Sequence, residues 1–128
     1  MPHISAVTLV VPDYDRALDF YVAVLGFDLV EDTPLSATKR WVLVAPKGGA
    51  QTRILLARAE GPSQTDAIGN QTGGRVSFFL TVADFDAEYA RMRAAGVRFL
   101  ETPRSEPYGK VAVWQDPFGN KWDLLEQR

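Results

Sequence analysis

What most limits the folds open to this 128-residue chain is an internal echo. Asp13 stands 13 positions before Gly26, Asp84 stands 12 positions before Gly96, and Gly49 and Gly119 lie 70 positions apart in matching turns. An Asp just ahead of an apolar run supplies an acceptor for the unpaired N–H groups of a first helical turn. A Gly just behind it tolerates the left-handed backbone that ends a helix. Between these signals Ala17, Leu18, Tyr21, Val22 and Leu25 recur at spacings of three and four, which predicts an amphipathic helix over residues 13–25. A second helix is expected over residues 84–95.

Runs rich in β-branched and aromatic residues predict strands at 4–11, 27–31, 40–45 and 52–57, then at 75–82, 97–100, 110–115 and 121–126. Turns are expected around Pro34 and at Pro46-Lys47-Gly48-Gly49. Residues 60–74 hold Gly, Pro, Ser, Gln, Asn and Thr without apolar periodicity and read as a linker. The expected organisation is one domain over 1–128, with module one at 1–59, the linker at 60–74 and module two at 75–128. A lone four-stranded sheet cannot bury both of its faces, so the two sheets should pair, within the chain or across a dimer.

Composition removes several function classes. The 46% of hydrophobic residues can line a core, but no run of 18 or more is apolar, and residues 1–4 lack the basic start of a secretion signal. With no cysteine there is no disulfide, thiolate metal site or cysteine nucleophile, and a cytoplasmic location is expected. Lys and Arg number 14 against 16 Asp and Glu, scattered rather than striped, so neither nucleic acid nor membrane is an expected partner. His3 is the only histidine, at the expected start of the first strand, and no oriented Ser-His-Asp set can be built around it. No Gly-rich phosphate loop follows any strand. Trp41, Trp114 and Trp122 read equally as pocket lining or as core and interface.

The string Val7-Thr8-Leu9-Val10-Val11-Pro12-Asp13, the segment Arg16-Ala17-Leu18-Asp19-Phe20-Tyr21, Val24-Leu25-Gly26-Phe27, and the closing Asp116-Pro117-Phe118-Gly119-Asn120-Lys121-Trp122-Asp123-Leu124 together span nearly the whole chain. They resemble the vicinal oxygen chelate superfamily of glyoxalases, bleomycin-resistance proteins and extradiol dioxygenases. The resemblance implies an α+β fold of two tandem βαβββ modules forming a curved mixed sheet around a cleft, and a homodimer. In enzymes of that superfamily a divalent metal is held by one His or Glu from each of four strands. The corresponding places here hold Ala6, Ser77, either Arg53 or Leu55, and Asp123. Only Asp123 offers a donor, and one carboxylate alone holds a transition metal weakly. No metal or other cofactor is therefore expected, with a divalent ion, even one held by His3, Asp123 and Glu60, kept as the alternative.

Alternation places Ala6, Thr8 and Val10 on the face of the first ligand place, and Ser77, Phe79 and Thr81 on that of the second. Arg53 and Asp123 occupy equivalent positions and are expected either to pair in place of the metal, leaving Arg53 to hold an anion bidentately, or to lie apart with Arg53 facing solvent. The segment 102–110 carries Pro103, Pro107, Tyr108 and Gly109, and reads as a lid or as a packed connection. The candidate substrate-binding residues are Arg53, Phe79, Tyr108, Trp114 and Asp123. Asp123 is also the one candidate catalytic group, a role that requires a raised pKa. The expected function is binding of a small aromatic or anionic molecule in the cleft. The alternative is a metal-dependent or divergent metal-free enzyme, a glyoxalase-like lyase or a dioxygenase, acting on a small carbonyl or catechol-type substrate.

Overall fold

A computed structural model describes residues 1–49 and 51–127; Ala50, beside the expected hairpin, and Arg128, the end of module two, lie outside the described residues. The chain forms two compact units, Met1–Ile68 and Gly69–Arg128, divided inside the expected linker. The α+β class holds, with one mixed sheet in each unit.

In the first unit β1 (Ala6–Val11) leads into α1 (Tyr14–Leu18), which runs on as a π-helical segment, π1 (Asp19–Val24). Then come β2 (Asp28–Pro34), β3 (Arg40–Ala45), β4 (Arg53–Arg58) and α2 (Gly61–Ala67). The sheet order is β1-β4-β3-β2, with β1 and β4 parallel and the other pairs antiparallel. Leu9, Val11, Val42, Val44, Ile54 and Leu56 are buried on one face of this sheet, and Tyr14, Ala17, Phe20, Tyr21 and Leu25 of the helix are buried with them. His3 is exposed and precedes β1 rather than starting it. Arg40 ties helix to sheet: its guanidinium holds Asp32 through Nε and Nη2 at 3.1 and 2.6 Å and Asp15 at 2.9 Å. It also lies 5.1 Å from the Tyr14 ring centroid.

The second unit repeats the plan. β5 (Val76–Thr81) is followed by α3 (Phe85–Ala94), β6 (Arg98–Phe99), β7 (Arg104–Glu106), β8 (Gly109–Gln115) and β9 (Lys121–Gln127), in the order β5-β9-β8-β6, with β7 also on β8. The two helix starts are chemically the same: Asp13 Oδ2 accepts from Arg16 N at 2.9 Å, and Asp84 Oδ1 accepts from Ala87 N at 3.2 Å. The two stops match as well, with Gly26 at φ 87° and Gly96 at φ 93°. Asp116 closes the last hairpin, its Oδ1 accepting from Phe118 N and Asn120 N at 2.9 and 2.8 Å.

Three elements depart from expectation. The first helix changes geometry after Leu18: Leu25 N donates to Phe20 O at 2.7 Å, a five-residue step that brings Phe20 and Leu25 onto one buried side. The linker contains α2, which starts with Pro62 in its first turn and buries no side chain, so no apolar stripe announced it. The stretch read as a loop at 102–110 contains β7, whose Arg104 pairs with Val111.

Candidate functional site

The sheet of each unit has a face turned away from its helix. In the first unit that face follows from register: Ala6 pairs with Arg53, Thr8 with Leu55 and Val10 with Ala57, while Leu43 pairs with Leu55. Paired residues share a face, so Arg53 and Leu55, the two candidates for the third ligand place, both lie on the Ala6 face. Trp41 is 39% exposed at its edge. Arg53 is half-buried, and its Nε is buried without a hydrogen-bond partner.

In the second unit Phe79 pairs with Asp123, and Asp123 pairs with Val113, so the three form a row across β5, β9 and β8. Phe79 is 64% exposed, whereas Asp123 is only 8% exposed. Asp123 Oδ1 is buried with no hydrogen-bond partner. Burial pushes its carboxyl above the usual range; the nearby Arg104 guanidinium opposes this and the Glu101 carboxylate reinforces it. Ser77 falls at the bulge in β5, between Val76 and Phe78, and its Oγ lies 3.3 Å from Thr72 Oγ1.

Glu101 and Arg104 were not singled out from the sequence. They lie where the edge of this sheet is interrupted. β2 of the first unit is one strand of seven residues, but its counterpart is split into β6 and β7, and residues 100–103 bridge the gap. The interruption leaves the Val113 N–H without a strand partner on that side, and Glu101 Oε2 accepts from it at 2.8 Å. The other oxygen, Oε1, accepts from Arg104 Nε at 3.1 Å, and Arg104 Nη1 reaches Glu106 Oε1 at 2.6 Å and the Tyr108 hydroxyl at 3.5 Å. These bonds, Tyr108 and the two glutamates together, hold Arg104 well above its ordinary value. A Glu-x-x-Arg-x-Glu spacing was the available signal, but two prolines around it read as loop.

Tyr108 is 53% exposed in the tight turn between β7 and β8. Trp114 is placed differently from the other candidates. It pairs with Trp122, one position off the Asp123 row, and so lies on the opposite face. It is 0% exposed, its ring stacked on Trp122 at 5.0 Å and 17°, with Phe78 a further 4.6 Å from Trp122. Trp114 and Trp122 are core; Trp41 is the one tryptophan with substantial exposure.

The donor set does not fit a metal ion. Ala6 has no donor, the Ser77 hydroxyl is a weak neutral one, Arg53 is a cation, and Asp123 stands alone. Among the described residues no group of three or more His, Cys, Asp or Glu side chains is placed to hold a metal. Nor, among them, is any helix long and apolar enough to cross a membrane.

Repeated caps, stops and strand order define the class as a tandem βαβββ protein of the α+β type. The family model of the Glyoxalase/Bleomycin resistance protein/Dioxygenase superfamily matches residues 3–124, and the chain belongs to that superfamily. Its sequence is 52% identical over 121 residues to an uncharacterized protein of Shewanella frigidimarina (strain NCIMB 400), covering 94% of this chain and 90% of the relative. Among solved structures it is similar to UcmS2, with TM-score 0.85 and 32% identity over 98% of each chain. It is also similar to TnmS3, an antibiotic binding protein from Streptomyces sp. CB03234, with TM-score 0.80 and 33% identity over 100% of this chain and 98% of that one.

Proposed function

We propose that this protein binds a small aromatic molecule, without a metal ion, on the sheet faces that carry Arg53, Phe79 and Asp123. The observation that carries the reading is the likeness to TnmS3, an antibiotic binding protein, over the whole of this chain. The donor places support it, because Ala6 and Ser77 cannot stand in for imidazole or carboxylate ligands. Phe79 supplies a bare ring for stacking. Arg53 supplies a hold for an anionic substituent, and Tyr108 a further exposed ring. The protein works as a cytoplasmic homodimer in this reading: the chain has no cysteine, and β2 is an exposed strand that a second copy would cover.

Calorimetric titration of metal-stripped protein with naphthalenemethanol and naphthoate tests the proposal. Both are expected to bind, and Arg53→Met is expected to weaken naphthoate by about tenfold, the loss of one charge-assisted contact. Undiminished naphthoate affinity would remove Arg53 from the site. One stoichiometric, tightly held Ni, Zn, Mn or Fe ion per chain would overturn the metal-free reading. A second reading, a metal-free enzyme using Asp123 for proton transfer, is favoured by one observation, the raised carboxyl of Asp123. Turnover of a small carbonyl compound that disappears in Asp123→Asn would establish it.

A further inference from the structure

Resting on that binding reading, we infer that the second unit selects aromatic molecules that carry a protonated amine: the ring lies on Phe79 and the ammonium group donates to Asp123 Oδ1. Three observations lead there. Asp123 is more than nine-tenths buried, yet Oδ1 has no hydrogen-bond partner. A buried carboxylate oxygen without a donor is costly, and a ligand that supplies the donor recovers that cost on binding.

Charge around it is the second observation. Of the charged groups that act on Asp123, the Arg104 guanidinium favours its ionised form and Glu101 opposes it, and Arg104 is itself already held by Glu101, Glu106 and the Tyr108 hydroxyl. With Arg104 so engaged, a cation brought by a ligand gives Asp123 a direct partner, which a second anion cannot. The Asp123 carboxyl is indeed unsettled in the free protein, raised by burial and by Glu101 despite Arg104.

The third is spacing. Phe79 and Asp123 are register partners on adjacent strands and share a face. Such strands lie about 5 Å apart, so an amine on a short linker from a ring that covers Phe79 comes within reach of Asp123. Phe79, at 64% exposure, leaves its ring open to a partner.

The charged groups around Asp123 come from few elements. β6 brings Arg98, in register with Gln115 and so on the Asp123 face, the segment joining β6 to β7 brings Glu101, β7 brings Arg104 and Glu106, and β9 itself brings Lys121, whose Nζ donates to Gly74 O at 3.3 Å. The β8 and β5 partners in its row, Val113 and Phe79, carry no charge, and α3 covers the other face of the sheet.

Naphthylmethylamine and naphthalenemethanol differ chiefly in the charge they bring, and titrating both tests the inference. The amine is expected to bind about tenfold tighter than the alcohol, and Asp123→Asn to erase that difference. In the unaltered protein, lowering pH through the Asp123 carboxyl should weaken the amine and leave the alcohol unchanged, a readout that needs no variant. Phe79→Leu should weaken both probes alike. Equal affinity for the two probes, or an amine affinity indifferent to Asp123→Asn, overturns this inference while leaving the binding reading intact. If neither probe binds, the binding reading falls and this inference with it.

Discussion

Replacing Trp114 with Phe separates a core role from a ligand-lining role. A fully buried Trp removes roughly 150–250 Å² from water, and at about 25 cal/mol per Å² its burial contributes roughly 4–6 kcal/mol. Trp114 is at 0% exposure, so the full value applies. Phe lacks the second ring of indole, which forfeits about a third of that area, roughly 1.5 kcal/mol, and leaves a gap against Trp122 that the stack at 5.0 Å had filled. The combined loss is about 2 kcal/mol, below the roughly 3–5 kcal/mol of a Trp-to-Ala truncation. With a urea slope of about 2 kcal/mol per M, the unfolding midpoint should fall by about 1 M. Urea titration followed by far-UV circular dichroism reads this directly, and naphthalenemethanol calorimetry on the same sample should show unchanged affinity. A midpoint within about 0.2 M of the unaltered protein, accompanied by a loss of probe affinity, would refute the placement of Trp114 in the core and return it to the ligand face.

Two further outcomes follow from charged groups. The Asp123 carboxyl is raised in the folded state, chiefly by burial, so between the ordinary carboxylate range and that raised value the folded chain holds more protons than the unfolded one, and stability falls as pH rises through the window. Asp123→Asn should therefore unfold at higher urea than the unaltered protein at pH 7, with the gap closing toward pH 4; a gap that is constant or reversed with pH would contradict it. Arg40→Met removes two carboxylate contacts and the approach to Tyr14, a loss of about 1–2 kcal/mol for partly exposed pairs, part of which should vanish in 1 M NaCl; a salt-independent loss would assign Arg40 to packing alone.

What the sequence made legible was everything written in local chemistry. Asp13 and Asp84 cap helices because a short carboxylate reaches the third N–H of a first turn, and Gly26 and Gly96 stop them because the backbone there is left-handed; both rules act within a few residues. Strand register pairs Arg53 with Ala6 and Phe79 with Asp123, so each pair shares a sheet face. The remainder depends on partners distant in the chain. The π-turn at Phe20 and Leu25 widens a backbone whose side-chain spacing still reads as α-helical. β7 is made of Arg, Ser and Glu, residues of weak strand propensity, and pairs only because β8 offers an edge. Trp114 shows the same limit: its parity within β8 was readable, but which parity faces the helix is decided by its register against Trp122.

The same dependence explains how Glu101 acquires its place. A continuous edge strand would have satisfied the Val113 N–H with backbone, as β2 does for β3 in the first unit. The break at residues 100–103 hands that N–H to a side-chain carboxylate instead, and so plants a negative charge near Asp123, one strand away. Two carboxylates then share a neighbourhood with one guanidinium: burial, the largest influence, raises the Asp123 carboxyl, Arg104 offsets part of this, and Glu101 takes back some of that relief. Core packing gains nothing from a buried acid in that condition, since a neutral amide of the same shape would avoid the penalty. What the acid retains, and the amide lacks, is a negative charge to pair with a cation. On this view the irregular edge of the second sheet and the unpartnered oxygen of Asp123 are parts of one arrangement, in which the carboxylate accepts a donor brought by the ligand.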